Sequence, residues 1–376
     1  MAGTTGGAGL RRLAGRARRR LARIGRPAPP PPVPPKDLGI AAYRERRWKA
    51  AARQFTKALR TGGDRETWLY AASTHERLKD PALRDAFSKV GNALFPAAAY
   101  DSAAAFAVAD TRPHERDEVA AFLAGHADEL AGLAAGRLDP VPPRYAFVYW
   151  DSDERPDVVQ HCVAAMRHHL PDGLELIELS AATLADWVTI DPRIMAAVDI
   201  PAHAADIIRL HLLSRYGGLW IDASCLLNED FPVWSAPIRA EDCFLFTYAG
   251  SRTGNWFIWA TAASYRLQLI RAAMDAWFLS GRGWTNYFQF HDVVEMLFWT
   301  DPRYRAEWES GLHLHPGDLF EMHRALGRSV TDEEWAAVRH RQPVNKLSWR
   351  KYNDPALRAD PTTGIARFVA EPLGSA

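Results

Sequence analysis

The chain has 376 residues, with 46 Lys and Arg against 45 Asp and Glu, and 48% of its residues are hydrophobic. This length accommodates two domains, and a net charge of +1 argues against a general attraction to nucleic acid. The three scattered cysteines are too few for a disulfide framework, and no apolar run approaches the ~20 residues that span a membrane. We therefore expect a cytoplasmic protein that binds no nucleic acid.

Residues 1–36 form a basic and Pro-rich segment that we predict to be a disordered tail. The first 35 residues contain eight Arg and no acidic residue, and residues 27–35 (PAPPPPVPP) predict a stiff extended spacer. Residues 11–26 fit two interpretations, a solvated tail and a stretch that lies on an anionic membrane surface. The second interpretation predicts peripheral contact with the inner face of the membrane.

Residues 37–136 predict a small all-helical accessory domain. The segment is rich in Ala, and its apolar residues recur at three- and four-residue spacing, as in residues 48–59 (WKAAARQFTKAL). Residues 41–74 resemble one tetratricopeptide-like helical hairpin, whereas a stable solenoid needs about three such repeats. This composition is compatible both with a packing role and with partner binding.

From residue 140 onward the pattern changes to that of an α/β domain, which we expect to extend over residues 140–376. Residues 145–150 (YAFVYW) are wholly apolar or aromatic, as expected of a buried parallel strand. An amphipathic helix over residues 157–170 and a second strand over residues 174–179 follow. Strand, helix and strand in this order indicate a parallel pair with a right-handed crossover.

Residues 206–227 (DIIRLHLLSRYGGLWIDASCLL) contain the densest group of candidate functional residues. Asp206 and Arg209 are three residues apart, so both project from one side of a predicted helix. Gly217 and Gly218 are expected to end this helix, because its C-terminal cap needs a residue that tolerates positive φ.

A strand is predicted over residues 219–224, with Trp220, Asp222 and Ser224 on one face. A carboxylate on so apolar a strand is costly unless it is paired, bound to a metal or placed at the open end of the sheet. Ligands of open α/β sheets bind beyond the strand ends, which favours a binding site at Asp222. Each feature alone also fits a structural role, such as a surface ion pair, a helix cap or a turn.

The stretch DIIRLHLLSRYGGLWIDAS resembles the core motif of the capsular polysaccharide synthesis proteins and of the related glycosyltransferase family 32. The family pattern is a Ser-Asp-x-x-Arg helix, then Tyr-Gly-Gly, then a strand ending in Asp-x-Asp or Asp-Ala-Thr. The resemblance extends over residues 145–352 and includes NWFI at 255–258, NYFQFH at 286–291 and NKLSW at 345–349. It implies a GT-A type fold, a Rossmann-like sheet that binds a nucleoside diphosphate sugar.

The resemblance also implies roles for individual residues. Asp222 would ligate Mn²⁺ or Mg²⁺ together with Ser224, and Asp222 and Arg209 would be catalytic. Beyond the resemblance, Asp292, beside His291, is a further candidate catalytic acid near the acceptor. Asp292 fits equally well as a carboxylate at a helix N-terminus. Ser224 stands where many members have a second Asp, and one carboxylate gives a weaker site for a hard cation than two.

The donor and the acceptor would be held by a larger set of side chains. Trp150 would stack on the base, and Lys346 and Ser348 would close over the diphosphate. The implied substrate-binding residues are Trp150, Asp206, Arg209, Asn255, Trp256, His291, Lys346 and Ser348.

These features predict a hexosyltransferase-like enzyme that moves a sugar from a nucleoside diphosphate sugar to a glycan or polysaccharide precursor. The reaction would be metal-assisted, because a cation stabilises the charge on the departing diphosphate. The resemblance also implies that it retains the anomeric configuration. One alternative is a catalytically weakened glycan- or nucleotide-binding scaffold protein, which Ser224 favours. Another is a helical adaptor whose C-terminal part is only structural.

Overall fold

The computed structural model describes residues 33–60, 62, 65–80, 82–83, 86, 113–135, 142–247 and 253–373. The strands in these ranges are β1 (Tyr145–Tyr149), β2 (Glu175–Leu179), β3 (Gly218–Ile221), β4 (Cys225–Leu227), β5 (Cys243–Thr247), β6 (Thr253–Ala260) and β7 (Val344–Lys346). The predicted tail lies outside the described residues up to residue 32, and with it the stretch 11–26.

The helices alternate with these strands and also precede them. They are α1 (Pro35–Arg44), α2 (Trp48–Leu59), α3 (Arg65–Arg77), α4 (Pro113–Gly125), α5 (Ala127–Ala135), α6 (Asp157–His169), α7 (Pro192–Met195), α8 (Pro201–Tyr216), α9 (Phe231–Trp234), α10 (Ala236–Arg239), α11 (Tyr265–Leu279), α12 (Gln289–Thr300), α13 (Pro302–Ser310), α14 (Glu321–Leu326), α15 (Asp332–His340), α16 (Pro355–Ala359) and α17 (Gly364–Ala370). In the described part of the chain, none of them combines the length and apolarity needed to cross a membrane.

Helices α1, α2 and α3 pack around a small aromatic core of their own. Phe55 of α2 is fully buried and stacks on Tyr70 of α3, with ring centroids 5.2 Å apart. Gly39 lets α1 come close, because a Cβ at this position would lie 2.6 Å from the Phe55 ring. The predicted helices of this segment are therefore present where the structure describes it.

Helices α4 and α5 belong to the predicted accessory range but pack in the core of the α/β part. Phe122 of α4 meets Trp277 of α11 edge to face, with centroids 5.1 Å apart. Leu130 of α5 is buried in the same cluster. Residues 87–112, between α3 and α4, lie outside the described residues, so a separate accessory domain over 37–136 stays a prediction.

A five-stranded mixed sheet in the order β2-β1-β3-β6-β5 forms the centre of the α/β part. Strand β1 runs parallel to β2 and β3, whereas β6 runs antiparallel to β3 and β5. Strands β4 and β7 form a separate antiparallel pair. The predicted α/β class and the parallel pair of β1 and β2 around α6 are confirmed.

Two glycines turn the chain directly from α8 into β3. Gly217 has φ 64° and Gly218 has φ 104°, and the Gly217 N–H donates to the Leu213 carbonyl at 2.8 Å. A Cβ on Gly218 would lie 2.1 Å from the Tyr145 carbonyl oxygen. Glycine is thus required for β3 to lie beside β1, and the predicted end of the helix is confirmed.

Each face of the sheet carries its own hydrophobic core, because side chains alternate between faces along a strand. Phe147 and Trp220 face the core formed with α8, α11 and α12. Val148 and Ile221 face the core formed with α6, α14, α15 and α17. The two cores hold the strand ends in place, so the residues that follow β1 and β3 are positioned by rigid elements.

Candidate active site

A cleft of 790 Å³ opens at the carboxyl ends of β1 and β3, the edge at which α/β sheets bind ligands. Strand β6 begins at this edge, and the first turns of α8 and the chain after β7 complete the wall. The predicted site residues that line the cleft are Trp150, Asp206, Arg209, Asp222, Ser224, Asn255, Lys346 and Ser348.

Asp222 lies directly after β3, at the mouth of the sheet. The strand ends at Ile221, earlier than the predicted residue 224, because Asp222 begins a tight turn in which its carbonyl accepts from the Cys225 N–H at 2.9 Å. The Asp222 N–H still donates to the Trp256 carbonyl at 2.9 Å, which continues the ladder with β6. Its side chain is 26% exposed and borders the cleft.

Lys346 at the end of β7 contacts the two oxygen-bearing side chains of this turn. Its Nζ donates to Asp222 Oδ2 at 2.7 Å and to Ser224 Oγ at 2.9 Å. The pairing of β7 with β4 places Lys346 opposite Cys225. Residues separated by 124 positions in the chain therefore meet at one point of the cleft.

Arg209 joins this group from α8. Its guanidinium lies 3.0 Å from Asp206 Oδ1 and 3.5 Å from Asp222 Oδ1, and it donates to the Asn255 carbonyl at 2.5 Å. The Asn255 amide donates in turn to Asp206 at 2.8 Å. Asp206 and Arg209 are both almost fully buried, so their charges are held in fixed positions. The predicted projection of both side chains from one side of α8 is confirmed by their contact.

The pKa values of the two carboxyl groups move in opposite directions. Burial raises the pKa of Asp206 to about 6, against the attraction of Arg209. Burial would also raise the pKa of Asp222, but Lys346 and Arg209 together lower it. Asp222 therefore stays ionised at neutral pH, and Asp222 also raises the pKa of Lys346 against the effect of burial. The contact between Asp222 and Lys346 is an ion pair.

Aromatic rings from two separate segments also border the cleft. Trp150 follows β1 and meets Trp349 edge to face, with ring centroids 5.4 Å apart. The Trp150 indole N–H donates to the Glu154 carbonyl at 3.0 Å, which fixes its orientation. Trp349 follows β7, and the Arg350 guanidinium lies 4.9 Å from its ring centroid. Trp349 belongs to the NKLSW motif, but no substrate-binding role was predicted for it.

His323 of α14 is a further cleft residue that the sequence pattern did not indicate. Burial lowers the pKa of its imidazole to about 4, and the nearby Lys351 adds to this effect. The ring is therefore neutral at neutral pH. Because α14 follows a segment without strand or motif signals, the sequence offered no sign that this helix reaches the cleft.

Three predicted residues lie away from the cleft wall. Trp256 is buried in the core and stacks on Phe246 with centroids 4.7 Å apart. His291 Nδ1 lies 2.7 Å from the Thr253 carbonyl, at the start of β6. Asp292 is buried in the first turn of α12, where it accepts from the Asn286 amide at 2.9 Å. These contacts fit the structural alternative for Asp292, a carboxylate at a helix N-terminus.

The predicted site for Mn²⁺ or Mg²⁺ would consist of the Asp222 carboxylate and the Ser224 hydroxyl, and this donor set fits a divalent cation poorly. Within the described ranges, no group of three His, Cys, Asp or Glu side chains converges on one point. A cation about 2.1 Å from Asp222 Oδ2 would lie within about 5 Å of the Lys346 ammonium, whose Nζ is 2.7 Å from the same oxygen. Repulsion at this distance is on the order of 7 kcal/mol for an effective dielectric constant of about 20.

The structure is that of an α/β protein with a cleft, lined by charged and aromatic side chains, at the carboxyl edge of its parallel strands. The family model of the capsular polysaccharide synthesis proteins matches residues 140–359, and the chain belongs to this family. The resemblance to the capsular family is thereby confirmed, and membership indicates a role in polysaccharide biosynthesis. No curated protein and no solved structure gives a significant match.

Proposed function

We propose that the protein is a glycosyltransferase that binds a nucleoside diphosphate sugar in the cleft and transfers the sugar to a glycan or polysaccharide precursor. One observation carries this proposal: Lys346 and Arg209 contact the same carboxylate, Asp222, in a cleft that also presents two Trp rings. A nucleoside diphosphate sugar has matching groups, a flat base and a charged diphosphate. Membership in the capsular family supports the same reaction class.

The charges suit the departure of a diphosphate. In the transfer, the bond from the anomeric carbon to the phosphate oxygen breaks, and its electron pair stays on the diphosphate. The acceptor oxygen forms the new bond to the anomeric carbon, and its proton passes to the departing phosphate oxygen. Fixed cations in a partly desolvated site stabilise the growing negative charge without any proton transfer from the protein. Lys346 and Arg209 would supply these cations, and Asp222 would hold them in place.

The two Trp rings suit the base of the donor. Stacking of a base on an aromatic side chain tolerates different bases and contributes about 1–3 kcal/mol. Trp150 and Trp349 lie close enough to each other to border one base. Asp206 would accept hydrogen bonds from hydroxyl groups of the sugar or ribose. Contacts with Arg209 and Asn255 hold its carboxylate in place.

Other parts of this proposal depend on the resemblance alone. They are the assignment of the sheet to the GT-A type, the retention of anomeric configuration, and the relation to glycosyltransferase family 32. A cytoplasmic location with peripheral membrane contact through residues 11–26 is likewise proposed. Such contact would bring the cleft close to an acceptor carried on a lipid.

A panel of nucleotide sugars tests the proposal through thermal unfolding. We expect one class of nucleoside diphosphate sugar to raise Tm by several degrees, because a ligand at 100 times its Kd stabilises by about 2.7 kcal/mol. The matching nucleoside monophosphate is the control and should give a much smaller shift, since it lacks the second phosphate. A panel without any shift would contradict the proposal.

The second candidate function is a nucleotide- or glycan-binding scaffold that does not transfer sugar. Ser224 favours it, because this residue replaces the second carboxylate of the commoner motif. Under this candidate, the same nucleotide sugar stabilises the protein but no nucleoside diphosphate is released from it. Measuring that release by a coupled assay separates the two functions.

A further inference from the structure

Lys346 occupies the position between the two side chains that the resemblance assigns to a metal ion. Its Nζ lies 2.7 Å from Asp222 Oδ2 and 2.9 Å from Ser224 Oγ. These two oxygens belong to the first and third residues of the Asp-Ala-Ser turn at residues 222–224. The ammonium thus makes the two protein contacts that a cation at this motif would make.

The backbone fixes Lys346 at this position. Strand β7 pairs with β4, which places Lys346 directly opposite Cys225. The next residue, Leu347, donates its N–H to the Ser224 carbonyl at 2.8 Å. The Lys346 side chain is only 17% exposed, and its Nζ lies 5.9 Å from the centroid of the Trp256 ring. The ammonium is therefore held between a paired strand and a buried ring.

Both oxygens of the Asp222 carboxylate already face nitrogen donors. Oδ2 accepts from Lys346, and Oδ1 accepts from the Trp220 indole at 3.0 Å and lies 3.5 Å from Arg209. Waters and phosphate oxygens can supply most of the ligands of a divalent cation, but a cation on this carboxylate would lie beside the Lys346 ammonium and be repelled by it. An ammonium has three N–H donors, so its contacts with Asp222 and Ser224 leave one for a phosphate oxygen.

We infer that the Lys346 ammonium is the resident cation of this site, and that the cleft binds the diphosphate of its donor without a divalent metal ion. This inference rests on the proposed function, since it concerns the same diphosphate. Lys346 stays protonated throughout and transfers no atom. This arrangement also explains why a serine suits position 224. Its hydroxyl accepts a hydrogen bond from the ammonium without adding a second negative charge.

Isothermal titration with UDP, GDP, ADP and dTDP tests the inference, each in EDTA and in MnCl₂. For the nucleotide that binds the wild type, we expect Kd in EDTA to be as low as or lower than Kd in MnCl₂, since Mn²⁺ carried on the diphosphate would be repelled by the Lys346 ammonium. Binding to the wild type that requires Mn²⁺ would overturn the inference and leave the proposed function standing. No binding under either condition would overturn the proposed function itself.

Two variants at one position sharpen this test. Lys346→Ala should weaken binding in EDTA on the order of 10- to 100-fold, as expected when one partner of a desolvated charge pair is lost. Lys346→Arg keeps the charge and should recover most of that affinity, which separates the charge from the packing of the side chain. Thermal unfolding checks that both variants are folded. Equal affinity of Lys346→Ala and wild type in EDTA would overturn the inference.

Discussion

Two clusters in this protein each place an almost fully buried Arg beside a carboxylate. One cluster lies away from the cleft and the other borders it. The Arg339 cluster consists of Arg339, Asn228 and Glu371. Its guanidinium is 4% exposed, donates to Asn228 at 2.7 Å and lies 3.1 Å from a Glu371 carboxylate oxygen. The Asn228 amide donates back to the Arg339 carbonyl at 2.8 Å. These contacts join β4 to α15 and to the end of α17.

The Arg209 cluster, made of Arg209, Asp206, Asp222 and Lys346, has more charged groups and borders the cleft. Its guanidinium is also 4% exposed, and Asp222 at 26% is little more exposed than Glu371 at 22%, but Asp222 faces the cleft. None of the three members of the Arg339 cluster lines the cleft in the described part of the chain. A buried charge alone therefore indicates only packing, whereas a buried charge that borders a ligand-accessible cleft indicates function.

The largest expected effect on stability separates the two clusters. Arg339→Ala removes a buried guanidinium that pairs with the half-buried Glu371 and donates to the buried Asn228, and it should lower the free energy of unfolding by about 2–5 kcal/mol. Nucleotide affinity of the folded protein should stay unchanged, because the cluster does not border the cleft. Urea unfolding, followed by titration with nucleotide at a temperature where the variant is folded, measures both.

Arg341→Ala is the matched control, two residues further along the chain. Arg341 forms an exposed ion pair with Glu321, and such pairs contribute at most about 1 kcal/mol. If the two variants lost the same stability, or if Arg339→Ala weakened nucleotide binding, the distinction between the clusters would fail.

The next effect concerns the pH dependence of stability in the Arg209 cluster. Burial raises the pKa of Asp206 to about 6 from its ordinary value of 3.8, so the folded protein holds this proton more tightly than the unfolded chain. Relative to Asp206→Asn, the wild type should gain stability as pH falls through 6 and lose it as pH rises again. The full gain, reached below pH 3.8, is about 3 kcal/mol.

Urea unfolding of both proteins between pH 4.5 and 7 measures this difference, and titrating groups that do not interact with Asp206 cancel in the comparison. Parallel stability curves would show that Asp206 has an ordinary pKa. The assignment of Asp206 as a buried, fixed acceptor in the cleft would then be lost.

The smallest expected effect lies at the aromatic part of the cleft. Trp349→Ala should weaken nucleotide binding about tenfold, since stacking on a base contributes about 1–3 kcal/mol. Trp349→Phe keeps a ring and should retain most of the affinity. Titration with the nucleotide identified in the panel measures both variants. Equal affinity of Trp349→Ala and wild type would place the base elsewhere.

Much of the α/β part could be predicted from local patterns. Three features are each determined by residues that are neighbours in the chain. They are the apolar run at residues 145–150, the amphipathic helix after it and the glycine pair after Tyr216. Short-range periodicity was sufficient for these three features. It was wrong for residues 222–224, because β3 ends at Ile221 and Asp222 begins a turn. Asp222 and Ser224 share a contact with Lys346 without lying in one strand.

The remaining features depend on contacts between distant segments. The pairing of β7 with β4 brings Lys346 onto Asp222, and no periodicity within either segment encodes that register. The packing of α4 on the α/β core likewise depends on Phe122 meeting Trp277. Trp256 carried a motif signal but lies behind the cleft, because a motif does not distinguish a residue that supports a site from one that borders it.

The most direct test of the account is the release of nucleoside diphosphate by the wild type and by Asp222→Asn, using the nucleotide sugar that stabilises the protein. Asn keeps the size of the side chain but removes the charge that holds Lys346 and Arg209. We predict a loss of rate on the order of 10²- to 10³-fold, similar to the loss of one preorganised electrostatic group in other enzymes. Equal release by the two proteins would contradict the central role of this carboxylate.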